Sequence, residues 1–163
     1  MKTALVTLLC LMGFLCSGQD DCSKYITVKT LQGIKFAQQN ERIIIKKGED
    51  VFAIGLILQE RRISFGVLLN EEASVCLKGN EPMIVTYKDG TNSKLNNSFP
   101  SDCEGGYTVV FGQGSIEGLR ALIEKEVKSI KFKTDKGEVI IELDDKQSSN
   151  LKSTFKCLAT VEL

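Results

Sequence analysis

Two nearly continuous apolar runs, Val51 to Leu58 and Ile63 to Leu69, are separated only by Gln59-Glu60-Arg61-Arg62. Runs this short, bounded by charged residues, read as strands rather than helices. A connection of four residues cannot carry the chain back to a parallel neighbour, so the pair must be an antiparallel hairpin. Continuous apolarity predicts central strands buried on both faces. Gly55 and Gly66 inside them predict a bulge or a close backbone approach.

Further hairpin signals surround this pair. Tyr25 to Lys29 alternates and is β-branched, and Gln32-Gly33 turns it into Ile34-Lys35-Phe36. Arg42 to Lys46 is another short strand, stopped at Lys47-Gly48. Ala73 to Lys78 and Met83 to Lys88 read as two more. Asp89-Gly90 is a strong hairpin turn, returning weakly over Thr91 to Asn97. Tyr107 to Phe111 is a strand, and Val127 to Lys133 turns at Asp135-Lys136-Gly137 into Glu138 to Leu143. The stretch Ile26 to Gly33 echoes Ile130 to Gly137, which reflects shared hairpin grammar rather than duplication.

The period changes twice. Ser115 is an N-cap candidate, after which Ile116, Leu119, Leu122 and Ile123 share one helical face. Asp144 or Asp145 caps a last helix in which Leu151, Phe155 and Leu158 share a face. Strands joined by short turns, with two helices in the C-terminal half, predict an α+β fold built mostly of antiparallel sheet.

The chain opens Met1-Lys2-Thr3, runs apolar from Ala4 to Leu15, and reaches Cys16-Ser17-Gly18 before Gln19-Asp20-Asp21. A basic start, a short apolar run and small residues at a cleavage point predict a signal peptide over residues 1–18. A bilayer-spanning helix needs about 20 apolar residues, so stable membrane insertion is not expected. Leu9 before Cys10 and Leu15 before Cys16 disfavour lipidation. The expected mature chain, residues 19–163, is one domain, secreted or periplasmic, with a core large enough to fold. Without Lys2 it has 20 basic against 21 acidic residues. That balance offers no bulk attraction to nucleic acid.

Cys22, Cys76, Cys103 and Cys157 are an even set in an exported chain, so they read as two disulfides with three pairings. The expected pairing is Cys76 with Cys103, across a hairpin and turn, and Cys22 with Cys157, tying the two ends. None of the spacings is that of a redox motif or zinc knuckle.

The sequence contains no histidine. That removes Ser-His-Asp and Cys-His catalysis and the commonest zinc ligand. No metal site and no cofactor are expected: there is no calcium loop, and Gly112-Gln113-Gly114-Ser115 lacks the rest of a phosphate-binding pattern. Of the carboxylates, Asp144-Asp145 with Glu138 or Glu142 are the candidates for acid–base work, although helix capping accounts for the aspartates. Arg61-Arg62 and Lys46-Lys47 read as solvated faces or turns. A partner is expected on a sheet face or at the polar stretch Asn92 to Gly106, with Asn92, Asn96 and Asn97 and the flanking aromatics Tyr87 and Tyr107 as candidate contact residues. Asn96-Asn97-Ser98 is also a glycosylation sequon.

The C-terminal half, Met83 to Leu158, resembles small exported proteins of unknown function from Bacteroidetes. The resemblance is carried by Tyr87-Lys88-Asp89-Gly90, the cysteine-bearing polar loop, Tyr107 to Phe111, the Leu119-Leu122-Ile123 helix, Ile130-Lys131-Phe132 with Gly137, and Lys156-Cys157-Leu158. It implies an envelope or extracellular location and brings no catalytic residues. The expected function is therefore a non-enzymatic exported binding protein, an envelope accessory or an inhibitor, for an unknown protein or small ligand. The alternative is a small secreted hydrolase using carboxylates.

Overall fold

The computed structural model describes residues 21–69, 74–78, 81–98, 106–111 and 116–161. The expected signal peptide lies outside the described residues. Among the described residues, ten strands and two helices follow a 3-10 turn at Cys22–Lys24. They are β1 (Ile26–Leu31), β2 (Ile34–Gln39), β3 (Ile43–Lys47), β4 (Asp50–Gln59), β5 (Arg62–Leu69), β6 (Met83–Tyr87), β7 (Asn92–Leu95) and β8 (Gly106–Phe111). Then come α1 (Ile116–Glu124), β9 (Val127–Thr134), β10 (Gly137–Glu142) and α2 (Asp145–Thr160). The fold is α+β and its sheets are antiparallel throughout, as the turn grammar predicts.

One sheet runs β1-β2-β4-β5-β8, with β3 also on β4; the second runs β10-β9-β6-β7. The chain leaves the first sheet after β5, builds β6 and β7 in the second, and returns to pair β8 with β5. Phe52 of β4 meets Phe132 of β9 at 5.5 Å between ring centres, joining the two sheets. Phe155 of α2 stands edge-on to Phe65 and lies near Phe111, so this helix covers the inner face of the first sheet. Asp144, not Asp145, caps α2: its carboxylate accepts from Gln147 N–H at 2.7 Å and its own N–H donates to Gln147 Oε1 at 3.0 Å.

The turns follow stereochemistry more than composition. Gln32 and Gly33 have φ of +50° and +82°, the pair of positive values that a tight hairpin of right-twisted strands requires. Glu60 and Arg61 do the same at +49° and +62°, without a glycine. The β4–β5 connection is thus two residues, since Gln59 pairs with Arg62.

Three expectations are corrected. β4 and β5 are not buried on both faces: Phe52, Ile54, Leu56, Leu58, Ile63, Phe65 and Val67 are buried, while Ala53, Ile57 and Ser64 are at least partly open. No helix among the described residues covers their outward faces, which is why the alternation survives. Gly55 and Gly66 form no bulge; they are direct cross-strand partners in an unbroken register. Of the strand expected over Ala73 to Lys78, residues 74–78 are described and hold a single bridge, Leu77 with Thr134. There Cys76 N–H donates to the Asp135 side chain at 2.7 Å, so a carboxylate replaces the next ladder partner.

Candidate functional site

The expected contact residues are placed first. Tyr87 and Tyr107 are not exposed: they are 1% and 0% accessible. Strand alternation turns both rings into the core, and burial pushes both phenols above their ordinary pKa. Tyr107 Oη accepts from Met83 N–H at 2.9 Å and faces the carbonyls of Leu95 at 2.7 Å and Glu81 at 3.0 Å. It belongs to the first sheet and its partners belong to the second or its flank, so it pins the two together. Tyr87 Oη donates to Ser93 Oγ, and Lys125 Nζ lies 5.6 Å from its ring centre.

Asn97 is also structural. Its Oδ1 accepts from Thr108 N–H at 3.0 Å, Ser98 N–H donates to Thr108 C=O at 2.7 Å, and Ser98 Oγ accepts from Val110 N–H at 2.9 Å. Residues 97–98 therefore cap the outer edge of β8, leaving fewer free donors to template aggregation. Asn92 and Asn96 are exposed; residues 99–105, with Cys103, lie outside the described residues. Asn97 and Ser98, which read in sequence as part of one polar loop, bind the backbone of β8.

Cys22 and Cys157 form the expected disulfide, with Cα atoms 5.5 Å apart across 135 residues of sequence. It ties the 3-10 turn to α2. Cys76 is also disulfide-bonded, and Cys103, its expected partner, is outside the described residues.

The carboxylates are dispersed. Asp145 pairs with Lys88 at 2.8 Å, which holds its carboxyl below the usual range. Lys88 also binds Glu126, Glu138 pairs with Lys131, and Asp144 is the helix cap. Among the described residues no three Asp, Glu or Cys side chains gather as metal ligands. None of the described helices is long and apolar enough to cross a membrane.

A concave feature that the structural duties above leave unexplained lies on the outer face of the first sheet. β2 and β3 both pair with the same edge of β4. Phe36 to Gln38 face Gln59 to Ile57, and Ile43 to Lys47 face Ile54 to Asp50. Between them residues 40–42 leave the ladder, so Gly55 and Leu56 have no strand partner on that side. Asn40 anchors the excursion: its N–H donates to Tyr25 C=O at 2.9 Å and its side chain bonds Thr27 and Ser23 C=O. Beside this gap the Gly55–Gly66 pair leaves a shallow floor, because two missing side chains sit directly opposite each other.

The resulting pocket holds about 150 Å³. Ile57 and Leu68 give it apolar walls; Gln38, Ser64 and Thr108 add polar groups. Arg42 lies across the floor, its Nε 3.9 Å from where a Cβ on Gly55 would stand. Arg42 is exposed, and no described residue forms an ion pair with it. Gln39 also borders the pocket, but it shares the inward parity of buried Ala37 and both polar atoms of its carboxamide are enclosed, so the pocket does not reach them.

Sequence reasoning noticed both glycines but not their relation. They are equidistant from the Glu60-Arg61 turn, and a two-residue turn necessarily sets them side by side. Arg42 carried no comparable signal, because its role depends on the strand break. No family model, curated protein or solved structure matches the chain.

Proposed function

We propose that this protein is an exported, non-enzymatic binding protein whose ligand seat is the glycine-floored pocket between Arg42, Gly55, Gly66 and Thr108. The Gly55–Gly66 pair carries the reading, since it keeps an opening in a sheet that any larger residue would fill. The intramolecular disulfide and the leader-like start of the sequence support export. The dispersed, structurally engaged carboxylates count against the hydrolase alternative.

Amide NMR spectra of the mature protein, titrated with a small-fragment and short-peptide set, test this. Shifts clustered at Gly55, Gly66 and Thr108, absent in a pocket-filling Gly55→Val variant, support it. Binders that map only elsewhere overturn the assignment of the site. Hydrolysis of a peptide or glycan panel, abolished by Asp145→Asn or Glu142→Gln, overturns the non-enzymatic reading.

A further inference from the structure

The chemistry of the pocket narrows what it takes. Among the described residues lining it, Arg42 bears the only charge and there is no acid. The guanidinium lies over an apolar, glycine-floored surface with no internal carboxylate to satisfy it. A planar guanidinium matches a planar carboxylate through two parallel hydrogen bonds. A phosphate ordinarily draws several cations or a run of backbone N–H groups, and neither a lysine nor a helix N-terminus lines this pocket. The small volume admits one side chain rather than a large cofactor.

We infer that the pocket binds the free carboxyl end of a peptide. Arg42 holds the terminal carboxylate, and the Gly55–Gly66 floor with Ile57 and Leu68 receives the last side chain. The inference rests on the pocket being the ligand seat and goes further by naming the ligand's chemical class.

Two probes separate the claims: acetyl-Ala-Leu with a free carboxyl terminus and the same dipeptide as its terminal amide. Each is titrated into the full mature protein while the amide signals of Gly55, Gly66 and Thr108 are followed. The acid should bind at least about tenfold more tightly than the amide. Arg42→Gln should erase that difference, and Arg42→Lys should keep part of it because charge survives without the fork. Unchanged thermal melting of both variants confirms that they fold. Equal affinity for acid and amide at these signals overturns the carboxylate inference and leaves the pocket standing. If neither probe moves these signals up to millimolar concentration, the peptide-terminus inference falls. The pocket itself falls only if the broader fragment set also leaves them unmoved.

Discussion

Tyr107 and Thr108 are neighbours in the chain and opposites in the fold. Tyr107 points inward and bonds three backbone groups of β6, β7 and the residues before them. Thr108 points outward, beside Gly66, and its side chain borders a pocket. The same contrast divides the first sheet. Its inner face is closed by Phe155, Phe65, Phe111 and the Cys22–Cys157 link, and its Tyr107 hydroxyl is spent on holding the two sheets together. Its outer face has a broken ladder, paired glycines and an arginine without a counter-ion among the described residues. The difference teaches that an open outer groove is a more informative place to seek function than polar residues such as Asn97 and Ser98, already committed to cohesion.

The contrast breaks most visibly at the disulfide. Cys157→Ser removes a link across 135 residues and should destabilise the fold by about 3–5 kcal/mol in urea titration. A loss under about 1 kcal/mol would show that the inner face does not depend on it.

Substitutions at paired positions come next. Tyr107→Phe strands a buried N–H and loses the contacts to two carbonyls, so it should cost about 1–3 kcal/mol. Thr108→Val should stay within about 0.5 kcal/mol. Glycines divide in the same way. A Cβ on Gly106 would stand 2.6 Å from Leu68 Cδ2 and 2.7 Å from Val67 O, and the backbone oxygen cannot swing aside. Gly106→Ala should therefore cost about 1–3 kcal/mol. A Cβ on Gly66 would meet nothing closer than 3.6 Å, so Gly66→Ala should be neutral or stabilise by about 0.5 kcal/mol. Equal losses at the two glycines would erase the distinction between a packing glycine and a pocket-keeping one.

The β4–β5 turn offers a gain of similar small size. Glu60 and Arg61 hold left-handed conformations that favour Asn and Gly, so Glu60→Asn with Arg61→Gly should raise stability by about 1 kcal/mol. The measurement is the urea midpoint, and a decrease would show that these two side chains have a stabilising partner role at the tip.

The smallest effect is a pH dependence. Lys125 at 2.9 Å, with the Thr91 hydroxyl and N–H, holds the Asp89 carboxyl down to about 2, below its ordinary 3.8. A depressed pKa contributes stability that is complete above the unfolded value. That contribution fades as pH falls from about 4 through about 2. Asp89→Asn should flatten this part of the acid unfolding curve, because the exposed pair is weak and screened.

Much of the fold was legible because it is written in short range. Alternation, β-branching and turn residues act within a few positions, so most strands, both helices and their order followed directly. Strand ends moved where a side chain replaced a ladder partner, as Asp135 does for Cys76. The site was barely legible. Tyr87 and Tyr107 look like exposed aromatics beside a polar loop, yet strand parity sends them inward. Polarity in Asn97 and Ser98 reflects bonds to β8, which no local pattern contains.

Sequence by itself determined an antiparallel α+β chain and the absence of histidine chemistry, because these depend on composition and period; it left the cysteines three pairings, and the structure joined Cys22 to Cys157. Tertiary structure decided which polar residues are spent on cohesion and which are left over. It set β2 and β3 on one edge of β4, opened the gap at Gly55 and laid Arg42 across it. The physical reason is that a groove is a relation among strands far apart in sequence, and no window along the chain records which of their edges will meet.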